Sequence, residues 1–380
     1  MRRWRTASIV LVLLTILLAG RSIVFSQSSG ELRVFLLDLK AQDRGQAAAN
    51  LDIRKIDNDA KKALVERVDP ITSKQAAPPS KDKHDYMSQA PYFWRNPDTP
   101  TGFPYIRRDG ERNPEIKQFP DHDLLDKMVS AVERLSLGYF ATGNEEYAAR
   151  SGQILRMWFI DPATRMNPNL EFAQAIPGLN TGRGIGLIET RGLTRVVDSV
   201  GLLAGSRSWT KTDQSAVEAW FSKFLSWMLE SKNGRDESTS KNNHGTFYDV
   251  QIASYALFVG KRDLAKSTLE AAKQKRIAFQ VEKDGRQPLE LERTKSWDYS
   301  VMNLEGLVSL AQLAEHVGVD LWNFHTVDGH GIRKAIEFLA PFSRDTKSWP
   351  TKQIEPIRVD KFNAIVQLAR KRYKDLAVGD

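Results

Sequence analysis

Across 380 residues there is not one cysteine. That excludes disulfides, thiolate metal sites, cysteine nucleophiles and lipid attachment through a cysteine, and it is compatible with an oxidising compartment. A comfortable membrane span is also missing. The apolar run Ala7–Ala19 falls short of the about 20 residues a helix needs to cross a bilayer. Alternation of apolar and polar residues is confined to possible short pieces near Leu32–Leu37, which leaves little for a sheet-based fold. The net charge of +8 suits a polyanionic partner, yet no nucleic-acid-binding motif accompanies it, so an acidic polysaccharide is the better partner and nucleic acid is not expected. His316, His325 and His330, with Asp328 among them, match no compact metal motif such as H-E-x-x-H. They are read as structural or surface groups, with no metal and no cofactor expected. No sequence repeat of the helical hairpins is evident either.

What is present begins at the N-terminus. Arg2, Arg3 and Arg5 precede the apolar run, the pattern of a secretory signal peptide over residues 1–28. The expectation is a secreted or periplasmic protein with no membrane span once that segment is removed. Hydrophobic content of 41% and charged content of 27% are ordinary for a globular chain.

Helical spacing dominates the rest. Residues 46–68 read as a first helix. His122–Thr142 follows, with Leu125, Met128, Val129, Val132, Leu135 and Tyr139 on one face and Asp121 as its cap. Further helices are predicted through Tyr147–Trp158, Leu187–Leu203, Thr212–Leu229, Val250–Phe258, Arg262–Phe279, Val301–His316, Gly329–Leu339 and Phe362–Tyr373. Roughly nine to eleven helices in successive hairpins suit an all-α fold, an (α/α) toroid forming a single catalytic domain over residues 29–345. A C-terminal extension with one final helix would occupy 346–380.

Between the first two helices lies a long non-helical stretch rich in aromatics, a kind of segment that is usually functional. Tyr92 and Trp94 are candidates to stack on sugar rings. Phe93 and Phe103 read better as plugs in the core.

Two polar blocks carry the chemistry. The first, K-N-N-H-G-T-F-Y-D-V-Q (Lys241–Gln251), packs Asn242, Asn243, His244 and Tyr248 into seven positions. Asn and Gly favour turns, so the block reads as a kinked approach to a helix starting near Phe247. The second, R-Q-P-L-E-L-E-R-T-K-S-W-D-Y (Arg286–Tyr299), holds Arg293, Trp297 and Tyr299. An amide, an imidazole, a guanidinium and a phenol suit removal of a proton beside a carboxylate followed by expulsion of an alcohol.

N-N-H followed by R…Y resembles the alginate lyase family of helical polysaccharide lyases, which includes glucuronan-type lyases. Three further blocks resemble it in order: H-D-Y-M-S-Q-A-P-Y-F-W (His84–Trp94), G-F-P-Y-I-R-R-D-G-E-R-N-P-E (Gly102–Glu115) and A-Q-A-I-P-G…G-R-G-I-G (Ala173–Gly186). The resemblance implies metal-independent β-elimination on a 4-linked polyuronate in an (α/α) toroid. It makes Asn243, His244, Arg293 and Tyr299 the catalytic set. Asn243 and Arg293 would neutralise the uronate carboxylate, His244 or Tyr299 would take the C5 proton, and Tyr299 would protonate the leaving oxygen. A guanidinium beside Tyr299 would favour its phenolate. Asn242, Gln174, Arg183, Tyr92, Trp94, Tyr248 and Trp297 are the candidate substrate contacts, Arg107 and Arg108 a basic rim, and Asp249 and Glu290 orienting groups. Within the class, a glucuronan or mixed uronate lyase rivals an alginate lyase, and two rivals of other classes remain at this stage. One is a uronate-binding protein without activity. The other is a glycoside hydrolase using two opposed carboxylates among Asp236, Glu237, Asp249, Glu290 and Glu292.

Overall fold

The computed structural model describes residues 32–39 and 52–376; the predicted signal segment lies outside the described residues. Twelve α-helices follow one another among them: α1 (Ile53–Val65), α2 (Asp121–Thr142), α3 (Glu145–Leu155), α4 (Leu193–Leu202), α5 (Lys211–Glu230), α6 (Lys232–Ser238), α7 (Asn243–Phe258), α8 (Arg262–Ala272), α9 (Pro288–Leu291), α10 (Ser296–Glu315), α11 (Ile332–Arg344) and α12 (Asp360–Arg370). Successive helices pack as hairpins, α2 on α3 and α7 on α8, and the pairs meet laterally through α2 with α4 and α7 with α10. The fold is all-α, with the helix pairing expected of an (α/α) toroid.

Helix α7 is the central element. It contacts α4, α5, α8 and α10, and from Gly245 to Phe258 every residue is buried. A helix covered on all sides needs an apolar surface all round, which is why Val250–Phe258 shows so little polar punctuation. Beside it α5 carries Trp220, Phe221 and Phe224, whose rings interlock with Phe159, Tyr255 and Phe258 at centroid separations of 4.8–5.8 Å.

Several expectations need correction. Asp121 does not cap α2; Pro120 holds the cap position without a side-chain hydrogen bond. Asp121 is instead wholly buried, paired with the equally buried Lys74 and accepting from the Met87 backbone N–H at 2.8 Å. The predicted helix Leu187–Leu203 is two pieces, a 3₁₀ stretch Gly184–Thr190 and then α4. A short helix that sequence spacing did not predict, α6, lies in the polar stretch before the N-N-H block. Phe103 is no plug: it is 43% exposed and stacks on Tyr105.

Residues 32–39 form no strand. They are strapped to α4 by Asp198, which accepts from the backbone N–H groups of Phe35, Leu36 and Leu37 at 2.8–2.9 Å. The boundary expected at 345 is not a break in packing either. Phe362, Val366 and Tyr373 belong to the main core and Trp349 packs against it, and Trp349 and Phe362 meet Trp297 edge-on.

Among the described residues there are four short strands, all in the loops that face the site. β1 (Met87–Gln89) pairs in parallel with β4 (Phe172–Ala175). β2 (Phe93–Trp94) pairs antiparallel with β3 (Ile106–Arg107). Among the described residues no helix is long and apolar enough to cross a membrane.

Candidate active site

The α7 start is where the N-N-H block lies, and the block is already helical. Asn242 is the N-cap, its side-chain oxygen accepting from the His244 N–H at 3.2 Å, and Asn243 is the first helical residue. The helix thus begins before Phe247. The turn preference of Asn is spent on capping, not on a kink.

Gly245 makes this start possible. A Cβ there would lie 2.0 Å from the Ser240 carbonyl and 2.2 Å from the Arg276 guanidinium. Arg276, fully buried, donates to Asp249 (2.7 Å) and to the carbonyls of Ser240 (2.6 Å) and Ser238 (3.0 Å). One guanidinium therefore ties the approach segment to the body of α7. Asp249 pairs with Arg276, not with a predicted site residue.

Two buried carboxylates orient the block. Glu237 on α6 accepts from His244 Nδ1 at 2.8 Å. A carboxylate only accepts, so Nδ1 carries a proton, and in the neutral imidazole the lone pair is on Nε2. Glu290 on α9 accepts from both the backbone N–H and the side-chain Nδ2 of Asn243, each at 2.7 Å. Burial pushes the Glu290 carboxyl up, opposed by those two hydrogen bonds. One Asn243 amide hydrogen is thus committed to Glu290, and its Oδ1 is buried with no partner.

The second block is held from outside. Helix α10 has no side-chain cap. Asp109, from the loop after β3, instead accepts from Arg293 Nε and Nη2 (2.7–3.2 Å) and from the Thr294 N–H and hydroxyl (3.1 and 3.0 Å). These bonds outweigh desolvation and hold the Asp109 carboxyl well below the usual carboxylate range. Arg107 also donates to Asp109 at 2.6 Å.

So anchored, the Arg293 guanidinium lies 3.8 Å from the centre of the Tyr299 ring. The Tyr299 hydroxyl donates to that of Tyr92 at 2.9 Å. Burial pushes the Tyr299 phenol far above its ordinary value, and Arg293 counteracts this only in part. The guanidinium does not make a phenolate of Tyr299; the group is held as a phenol.

These elements line one cavity of about 600 Å³. Asn242, Asn243, His244, Arg293, Tyr299, Tyr92, Gln174 and Arg183 all face it. So do seven arginine and lysine side chains against three carboxylates, a balance that favours an anionic occupant. Gln174, in the left-handed region at φ 50, uses its side-chain oxygen to take a 2.8 Å hydrogen bond from Arg183. Burial pulls the Arg183 guanidinium down to about 10.

Three predicted contacts are elsewhere. Tyr248 is in the core, its hydroxyl donating to the Met228 carbonyl at 3.0 Å. Trp297 is wholly buried, its indole N–H donating to the Arg358 carbonyl at 3.0 Å. Trp94 donates to the Glu111 carbonyl at 2.9 Å under the Arg108 guanidinium and does not line the cavity. On α7 and α10 these rings sit on faces turned inward, which a motif read linearly does not reveal. Arg107 lines the cavity while Arg108 does not. His316 and His330 make hydrogen bonds to the carbonyls of Phe35 and Ala278, both 3.0 Å, and neither lines the cavity.

Sequence reasoning passed over Asp109 altogether, and it gave Glu237 no role beside His244. The signal for Asp109 was modest: a single acid after two arginines and before a glycine.

A model of the alginate lyase family matches residues 70–349. A crystal structure of an alginate lyase from Bacteroides ovatus is 36% identical, covering 86% of this chain and 87% of that one with a TM-score of 0.83. Alginate lyase A1-III from Sphingomonas species A1 shares the fold at 15% identity, with a TM-score of 0.55 and coverage of 87% and 90%. A variant of A1-III complexed with a tetrasaccharide matches at 15% identity, TM-score 0.55 and coverage of 87% and 89%. No curated protein matches the chain.

Proposed function

The chain belongs to the alginate lyase family and is a polysaccharide lyase; on that premise we propose that it cleaves a 4-linked polyuronate, alginate or polymannuronate, by β-elimination in the cavity between α7 and α10. One observation carries the reading. A histidine with a free Nε2 and a buried phenol converge on a cavity in which cations outnumber anions by seven to three.

The reaction removes the proton at C5 and expels the oxygen at C4, leaving a double bond conjugated to the carboxylate. The C5 proton is weakly acidic until charge on the carboxylate is neutralised. Arg293 and the remaining Asn243 amide hydrogen take that role, so the charge work falls to the protein's own groups and not to a metal. Asp109 and Glu290 keep both donors aimed before substrate arrives. Where proton and leaving group lie on opposite faces of the sugar, His244 Nε2 is the base and Glu237 steadies the imidazolium. Tyr299, a phenol at rest, delivers a proton to the departing oxygen. Where they lie on one face, the Tyr299 proton first passes to His244 Nε2, and the resulting phenolate takes the C5 proton and returns that same proton to the departing oxygen. Asn242, Gln174, Arg183 and Tyr92 form the walls that hold the sugars.

A polymer of this kind is met outside the cytoplasm, which with the basic-then-apolar N-terminus supports a secreted or periplasmic protein. A glucuronan is the alternative substrate, since epimer choice rests on pocket shape.

The test follows ultraviolet absorbance with polymannuronate, polyguluronate and glucuronan in parallel. Absorbance rises with at least one polymer, and His244→Ala and Tyr299→Phe each lower turnover by roughly a hundredfold or more. Saturated products, or unchanged turnover in both variants, would sink the elimination mechanism.

A further inference from the structure

The wall of the cavity formed by β1 and the 3₁₀ stretch Gly184–Thr190 carries polar groups that the elimination does not use. Glu189 lines the cavity yet is only 8% exposed. Its Oε2 accepts from the Tyr86 hydroxyl at 2.8 Å and the Ser88 hydroxyl at 2.6 Å. Ser88 in turn accepts from the Gln174 N–H at 2.8 Å, so strand pairing and carboxylate position are coupled. Among the described residues nothing donates to the other oxygen, Oε1. Arg183, the cavity's neighbouring cation, spends its hydrogen bonds on Gln174.

Next to Ser88, Gln89 lines the same cavity at 6% exposure, and its Nε2 is buried with no hydrogen-bond partner among the described residues. Buried polar groups without partners are rare in folded proteins. Here an acceptor and a donor stand open together.

A carboxylate cannot attract the uronate carboxylate; it repels it. What it can accept is a hydroxyl hydrogen, and an amide N–H can donate to the same or a neighbouring hydroxyl oxygen. We propose that Gln89 and Glu189 recognise a free ring hydroxyl of the uronate unit and make the enzyme selective for unsubstituted over O-acylated sugars. The proposal rests on the lyase reading above and deepens it. The cationic side of the cavity takes the carboxylate and this wall takes the hydroxyl edge, which together fix which way round the sugar sits. Acylation would remove the hydrogen that Glu189 accepts and add bulk against a buried wall.

The experiment compares one polyuronate with its O-acetylated form, read as kcat/KM by absorbance, for the wild type, Glu189→Gln and Gln89→Leu. In Glu189→Gln the side-chain carbonyl keeps the Tyr86 and Ser88 bonds, while an NH2 replaces Oε1 and turns acceptor into donor. The wild type prefers the free polymer by about tenfold or more, the range of a hydrogen bond to a charged group. Glu189→Gln loses roughly ten- to a hundredfold on the free polymer and changes little on the acetylated one, so the preference collapses. Gln89→Leu shifts it in the same direction by less, and carries the test if Glu189→Gln fails to fold. An active enzyme whose variants lose equally on both polymers, or on neither, overturns the hydroxyl assignment alone. A wild type inactive on every polyuronate overturns the lyase reading and this inference with it.

Discussion

Two helix starts frame the cavity, and they are built in opposite ways. At α7 the functional side chains belong to the cap: Asn242 closes the helix and Asn243 and His244 are its first residues. Their partners Glu237 and Glu290 are nearly inaccessible to solvent, as is Arg276, which ties the approach segment to α7. At α10 there is no side-chain cap, and Arg293 and Tyr299 are steadied from the surface loops by Asp109 and Tyr92. The first arrangement couples the site to the stability of the core. The second anchors the site from loops that carry a small hydrophobic cluster of their own, Ala90, Tyr105 and Ile176, separate from the main core. The imidazole at one start and the phenol at the other are thereby fixed by separate means.

The comparison is most severely tested at Arg276. Arg276→Met leaves Asp249 buried and unpaired and strips two carbonyls of their donor, with an expected loss of about 3–5 kcal/mol in denaturant unfolding and collapse of activity through the misplaced α7 start. Stability close to that of the wild type would show that the α7 site is not tied to the core. At the other start, Asp109→Asn should lower kcat by about tenfold, in line with a weakened charge-assisted hydrogen bond, with little effect on the thermal midpoint. A large fall in stability there would erase the distinction.

The smallest effect is at Arg183. Burial lowers its guanidinium from the ordinary value, yet an arginine keeps its charge through the working pH range. Arg183→Gln removes one of the seven cations of the cavity, so KM should rise by roughly three- to tenfold with kcat little changed. An unchanged KM would show that Arg183 serves Gln174 alone and not the polyanion.

The helices were legible because most are amphipathic or apolar at helical spacing, and α5 runs over nearly the predicted residues, whereas α7 and α10 begin ahead of their predicted starts, at Asn243 and Ser296. At α7 the boundary failed because polar residues act there as caps. Asn243 reads as a turn former in isolation and becomes helical because Asn242 caps it and Glu290 takes its N–H groups. Of the site, Asn243, His244, Arg293 and Tyr299 were nameable because their chemistry is rare in so few positions, and all four line one cavity. Tyr248 and Trp297, flanking them in the same blocks, lie in the core because successive helical residues point about 100° apart. A polar block on a helix therefore delivers only part of itself to the site.

Composition and pattern alone determined an all-helical chain without sulfur chemistry, a basic surface, and two blocks carrying imidazole, amide, guanidinium and phenol. These follow from residue type and local spacing. Tertiary structure alone decided that Asp109 and Glu237 anchor the reactive groups, that Tyr299 is a phenol, and that Gln89 and Glu189 stand open on one wall. Those depend on burial and on partners far away in the chain, Asp109 to Arg293 above all, and only the folded chain brings such groups within hydrogen-bonding distance.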